Sequence, residues 1–317
     1  MFPTSTQKTE WTFDNTDALT AKRNEASENY KNVYREVINP GEDERFLSPQ
    51  DESTMRAIVQ EAALKFGDDF QPHLFPSVRY TAFCYFKRFF LKHTVMEYSP
   101  KMVMMACYYL ATKIDEFYVP IHEFVANLKS GNTETNTSHI LKLEPEILKV
   151  MDYSLIVYTP YRTIEGIFVE MKQRMALLNF DIESLRPTLI EFITKSLLSD
   201  VMLIFSPNYI ALAALKYGLD AQDRAVELVN EFLRRMLGVD ESQMSEKDNT
   251  LVKNIDAQLD QIIAMVEESA RPVDADMRKS CMERCTNVSI LLSVLEERRR
   301  LLPSNKNGAN KFDSDED

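Results

Sequence analysis

The sequence predicts an all-α protein: two tandem five-helix domains with extra helices at the N- and C-terminal ends. Three observations carry that expectation. Only seven glycines occur in 317 residues, too few for a chain of tight hairpins, while 44% of the residues are hydrophobic, enough for two domains with real cores. Val103, Ala106, Cys107, Leu110, Ala111 and Ile114 recur at the three-and-four spacing of one helix face. Finally, "TVMEYSPKMVMMACYYLA" at 94–111 slides without a gap onto "VMLIFSPNYIALAALKYG" at 201–218, an offset of 107 residues.

Both copies carry an aromatic-Ser-Pro triplet, Tyr98-Ser99-Pro100 and Phe205-Ser206-Pro207. Serine as cap with proline at the first helical position is a strong helix start. The same offset pairs "SVRYTAFCYFKRFFL" at 77–91 with "SLRPTLIEFITKSLL" at 184–198. One register thus persists over roughly 35 residues, as duplicated architecture requires. The first copy is predicted to hold helices at 54–66, 77–92, 100–115, 121–128 and 140–153. The second holds helices near 160–178, 185–205, 207–218, 222–237 and 248–268. Helix three of each copy, lined by small residues such as Ala106, Ala111, Ala213 and Ala214, is expected at the centre and most buried. A charged helix at 16–37, preceded by the single tryptophan Trp11, lies outside the repeats, as does a long helix at 273–302. The expected organisation is an N-terminal extension with a helix over 1–53, domains over 54–153 and 154–270, a C-terminal helix over 271–302, and a disordered acidic tail over 303–317.

Composition narrows the function. The 49 acidic and 37 basic residues leave a net charge of -12, unsuited to direct nucleic-acid binding or an anionic membrane. No apolar run approaches the roughly 20 residues that span a bilayer, and the start "MFPTSTQKTEW" lacks a signal-peptide core, so a soluble intracellular protein is expected. Cys84 and Cys107 sit in apolar helical runs, while Cys281 and Cys285, one turn apart, lack the further ligands of a metal site. These cysteines suggest a reducing compartment, cytosol or nucleus. The histidines at 73, 93, 122 and 139 are scattered, and neither G-x-G-x-x-G nor G-x-x-x-x-G-K-[ST] occurs. No catalytic residue, metal or cofactor is implied.

One residue stands out. Lys113 ends a helix that is apolar nearly all round, "KMVMMACYYLATKI", and a lysine is costly to bury without a partner. It could serve its own helix, since a cation in the last turn complements the dipole and its stem can cover apolar neighbours. It could equally contact another protein.

Taken together, "YFKRFFLKHTVMEYSP", "LATKIDEF" and "LIVYTPYRTIEGI", in that order and with "QKTEWTF" ahead of them, resemble the cyclin family, within it the cyclin H branch. The similarity spans roughly residues 7–300. The resemblance implies two tandem cyclin boxes and a regulatory rather than catalytic role. It implies a cyclin that binds and activates a cyclin-dependent kinase catalytic subunit within the CDK-activating kinase. It also implies a RING-finger assembly factor and the transcription factor IIH core as partners, and a nuclear role in cell-cycle control and RNA polymerase II transcription. In the family, the lysine closing helix three and a glutamate early in helix five grip the kinase beside its C helix. Carried over, these are Lys113 and Glu144, with Ile114 and Phe117 in the same kinase-binding site. Pro145 follows Glu144 directly, and the residue before a proline is pushed from helical geometry, so helix five is predicted to start or kink there.

"MRAIV" at 55–59 resembles the substrate-recruitment patch of cell-cycle cyclins, but Ala62 and Ala63 stand where that patch carries a tryptophan, so plain core packing is expected. The alternatives are a transcription factor IIB-like tandem cyclin-fold protein binding DNA, and a helical scaffold. The first would ordinarily carry a zinc ribbon and a basic surface, and this chain shows neither pattern.

Overall fold

Residues 2–175, 180–238 and 245–301 are described by a computed structural model, and every regular element among them is helical. An extension carries α1 (Thr6–Thr9) and α2 (Thr16–Asn32). Five helices follow: α3 (Pro49–Asp69), α4 (Pro76–Lys92), α5 (Pro100–Ile114), α6 (Ile121–Ala126) and α7 (Thr133–Val150). A second five are α8 (Tyr161–Arg174), α9 (Arg186–Ser196), α10 (Pro207–Asp220), α11 (Leu228–Leu237) and α12 (Glu246–Ser269), and α13 (Ala275–Leu301) closes the chain. In the first set α3, α4 and α7 pack around α5; in the second α8, α9, α11 and α12 pack around α10. The two central helices start at prolines 107 positions apart, Pro100 and Pro207. The aromatic-Ser-Pro signal therefore marks the same structural role twice.

Several boundaries differ from the sequence expectation, each for a local reason. Ser48 caps the Asp51 N–H and Asp51 returns the bond, so α3 starts at Pro49 rather than 54. Asn132 caps α7, which starts at Thr133 rather than 140 and runs straight through Pro145. The start or kink predicted at Glu144 is therefore absent. Proline removes one bond to the carbonyl of Leu141, a residue 44% exposed, while Ile140, Ile147 and Val150 hold the helix on the core. The helix predicted over 185–205 stops at Ser196 and is followed by a 3₁₀ turn, Asp200–Leu203. The fourth helix of the second set begins at Leu228, not 222, because Asp223 takes a left-handed φ of 51°. The N-terminal helix ends at Asn32, short of 37. Residues 176–178 of the helix predicted over 160–178, and the predicted tail over 303–317, lie outside the described residues.

Burial also differs from expectation. In the first set α4 rivals α5, being buried without interruption from Tyr80 to Leu91. It is enclosed because α2, α5, α7 and the 200–203 turn all pack against it. This interior position includes Lys87 and Arg88, which are 2% and 1% exposed.

The Lys87 charge is accommodated by the break after α9. Asp200 receives both guanidinium nitrogens of Arg23, at 2.6 and 3.0 Å, and its Oδ1 lies 3.4 Å from Lys87 Nζ. Lys87 also donates to Gln60 Oε1 at 2.5 Å and to the Leu198 carbonyl at 3.3 Å. Burial pulls the Lys87 ammonium down to about 8, against the opposing pull of Asp200. Burial would raise the Asp200 carboxyl, but Arg23 and Lys87 outweigh it and hold the group far below the ordinary carboxylate range. Asp200 thereby ties α2, α4 and the second set of helices together. The extension is fastened further by the Gln7 side chain, which pairs with both backbone groups of Tyr158, and by Trp11, which lies under Arg88 at 5.2 Å and Lys92 at 5.0 Å.

Asp200→Asn should destabilise the chain by about 2–4 kcal/mol in urea unfolding, below the full range for a broken buried pair because the carboxylate is 26% exposed. A cost under about 0.5 kcal/mol, the ordinary level of a surface substitution, would show that the cluster does not hold the fold. The wild type should also lose stability as pH falls below the unfolded aspartate value of 3.8, because a depressed folded carboxyl stabilises fully only while the unfolded state is ionised too, and the advantage drains away once the unfolded state takes up the proton. Asp200→Asn should flatten that acid limb.

Candidate kinase-binding face

Helix α5 ends by a tight reversal that turns several side chains to one side. The Asp115 N–H caps back to the Ala111 carbonyl, Glu116 takes a left-handed φ of 55°, and the Phe117 N–H returns to the Thr112 carbonyl at 2.8 Å. Thr112 is fully buried, so the reversal is anchored from inside. Asp115 is partly buried, which raises its carboxyl, against hydrogen bonds from Ser77 and Thr81 at the start of α4.

The reversal places Lys113 opposite α7. Its Nζ donates to Glu144 Oε1 at 2.5 Å and lies 4.4 Å from the centre of the Tyr109 ring. The Lys113 side chain remains 43% exposed, whereas Glu144 is 15% exposed. The lysine therefore has a partner within the chain and still faces outward, with two of its three donors left over. Glu144 sits well inside α7, not early in the fifth helix as expected, because that helix begins about three turns before it.

Ile114 and Phe117 flank the pair and are partly buried against the core. Phe117 stacks edge-on against Phe75 at 4.9 Å, Phe75 is 53% exposed, and Tyr118 is 95% exposed. Sequence reasoning missed Phe75 and Tyr118. Phe75 precedes the proline that opens α4, and Tyr118 follows the reversal, so neither belongs to a periodic helix face that would have marked it. The Lys113–Glu144 pair and the aromatics of the connections before α4 and after α5 are the residue types of an interface centre with a polar anchor. Among the described residues no three His, Cys, Asp or Glu side chains converge on a metal-sized site. No helix among them is long and apolar enough to cross a membrane.

The "MRAIV" segment packs on the core as expected and also borders a groove. Ile58 and Val59 are buried, yet with Met55, Ala62, Phe66 and Met105 they line an apolar groove of about 490 Å³. Near the end of α13, Arg298 forks onto Glu42 at 2.6 and 3.0 Å.

Residues 28–156 match the cyclin N-terminal domain and residues 159–271 match the cyclin C-terminal domain. The chain is 32% identical to Cyclin-H of Xenopus laevis over 304 residues, covering 95% of this chain and 91% of that protein. The chain belongs to the cyclin family. Two solved structures share its fold. One chain of the Chaetomium thermophilum CAK complex bound to ATP-gamma-S aligns with a TM-score of 0.74 at 17% identity, over 100% of this chain and 97% of that one. One chain of the yeast TFIIK (Kin28/Ccl1/Tfb3) complex aligns with a TM-score of 0.60 at 22% identity, over 85% of this chain and 100% of that one. In this cyclin, α5 and α10 are the corresponding central helices of the two domains, and the Lys113–Glu144 pair lies on the N-terminal one.

Lys113→Ala should leave the fold of this cyclin intact and shift its unfolding free energy by less than about 1 kcal/mol, since a half-exposed ion pair contributes little. A larger loss in thermal unfolding would mean that the lysine serves chiefly its own bundle.

Proposed function

We propose that this cyclin is the regulatory subunit of a CDK-activating kinase and grips its kinase through Lys113 and Glu144, with Ile114 and Phe117 beside them. The single observation that supports this reading is that Lys113 is paired yet still exposed, at the end of α5 just before the reversal that carries Phe117 and Tyr118. A lysine oriented by a semi-buried carboxylate keeps donors free for a second protein, for example for the unsatisfied carbonyls at the C-terminal end of a helix. The aromatics supply the apolar area that such a polar anchor needs.

The activating mechanism follows from the kinase's own requirement. Its C-helix glutamate must pair with the strand-three lysine, and its activation loop must be ordered. A face that fits only this arrangement shifts the kinase population toward it. The bundle suits that task because its reversal is anchored by buried Thr112 and its pair is already formed, so little ordering remains to oppose binding. The protein itself transfers no phosphate. Its likeness to Cyclin-H, and its shared fold with chains of the CAK and TFIIK complexes, extend the proposal to a RING-finger assembly factor and the transcription factor IIH core as partners. They extend it also to a nuclear role in transcription and cell-cycle control.

Lys113→Ala should weaken binding to the kinase subunit by about 2–4 kcal/mol, the range for a desolvated, hydrogen-bonded interfacial charge. Glu144→Ala should act in the same direction, and the double variant should cost less than the sum, since the two side chains act as one unit. Calorimetric titration of the purified kinase subunit reads both effects; unchanged affinity in both single variants would sink the assignment. The isolated chain should show no ATP hydrolysis or phosphotransfer that survives further purification, and should raise the kinase's activity when added to it.

A further inference from the structure

We propose that the pocket between α2 and the first turns of α3 binds an oxyanion of the phosphate class. The pocket encloses about 170 Å³ and is lined by Thr20, Arg23 and Asn24 from α2 and by Gln50, Ser53 and Arg56 from α3. That is below the roughly 300–1,000 Å³ of ordinary small-molecule sites, but sufficient for one tetrahedral anion. The site lies apart from the Lys113 face and does not rest on the kinase-binding reading.

The argument starts from a charge count. Three cations, Arg23, Arg56 and Lys87, share this buried region with two carboxylates, Asp200 and Glu52. Among the described residues no other carboxylate lies within ion-pair distance of any of the three. Asp200 is committed to Arg23 and Lys87. Glu52 also lines the pocket, but its oxygens are taken by the hydroxyls of Ser27 at 2.6 Å and Thr94 at 2.8 Å. Arg56 is left over. It is 8% exposed, and its nearest carboxylate oxygen, on Glu52, stands at 3.7 Å, beyond hydrogen-bond range. Burial, with Arg23 adding to it, lowers the guanidinium to about 10, the mark of a buried cation without adequate compensation.

A buried guanidinium whose only carboxylate stands beyond hydrogen-bond range is incompletely compensated, and an anion seated against it relieves that cost. The available donors suit phosphate. A guanidinium offers parallel N–H groups matched to two phosphate oxygens. Ser53, Thr20, Asn24 and Gln50 can serve the remaining oxygens. Asp51, five residues before Arg56, spends its carboxylate on capping Ser48 and on Arg284 rather than on Arg56. The same chemistry is carried by free phosphate and by a phosphorylated side chain on a protein segment.

The test is thermal unfolding of the full chain titrated with sodium phosphate and, at matched ionic strength, with sodium chloride. Phosphate should raise Tm saturably and chloride should not; equal responses to both salts overturn the site. Arg56→Gln should weaken phosphate binding by about tenfold or more, as expected for losing a charge-assisted hydrogen bond. Unaltered phosphate affinity in that variant also overturns the proposal. If Arg56→Gln does not fold, Ser53→Asp decides, because it sets a carboxylate at an exposed position of the same pocket. It should remove the phosphate response, and an intact response would refute the site. A Gly-Gly-phosphoserine-Gly-Gly peptide and its unphosphorylated twin separate the two sources. Phosphopeptide binding about tenfold or more tighter than inorganic phosphate marks a phosphoprotein ligand, and equal binding marks free phosphate.

Discussion

One carboxylate coordinates the architecture. Asp200 lies on a short 3₁₀ turn in the second repeat, yet it reaches Arg23 on α2 and Lys87 on α4. Those three elements belong to the extension, the first repeat and the second repeat. Two tandem bundles joined by a short linker could otherwise move against each other, since interfaces between domains are ordinarily modest. Here an enclosed helix of the first bundle carries a lysine that meets its carboxylate only if the second bundle is seated, and the same carboxylate holds Arg23 of the extension. The loss of helix after Ser196 is therefore a requirement of the fold: a helix continuing to 205 could not bring Asp200 to this point in this form.

The two repeats use the same frame and present different surfaces. In the second, Lys216 on α10 is held between Asp256 and Asp260 of α12, at 2.7 Å from each, and its side chain is 13% exposed. In the first, Lys113 on α5 meets the single carboxylate of Glu144 on α7 and stays 43% exposed. Both are links from the central helix to the fifth helix of a bundle. The first leaves a cation facing outward beside aromatic side chains, whereas the second encloses and neutralises its lysine. Duplication preserved the bundle, and the placement of one lysine relative to the fifth helix set which copy has a face suited to a partner.

Much of this was legible in the residues. Serine-proline starts placed α5 and α10 because proline at the first helical position is a local signal, although neither Ser99 nor Ser206 makes a side-chain cap bond. The family motif led to Lys113 and Glu144, and the folded chain brings those two side chains into contact. Pro145 was read too literally. Its local preference is a fraction of what Ile140, Ile147 and Val150 gain by packing on the core, so tertiary burial carried the helix through it. Phe75 and Tyr118 carried no periodic signal, because both lie in connections whose direction depends on what they pack against.

The residues alone were enough for the helical class, the duplication and the positions of the two central helices, because each of these follows from contacts within a few residues or from direct comparison of segments. The partners of the charges were another matter. "YFKRFF" shows a lysine and an arginine on an apolar helix but does not say that Lys87 meets an aspartate 113 residues later, or that Arg88 lies over Trp11. Nor does it show that Arg56 is left one anion short. Such pairings are set by long-range geometry. Opposite charges in a low-dielectric interior interact strongly only at the distance the whole fold imposes, and no local pattern encodes that distance.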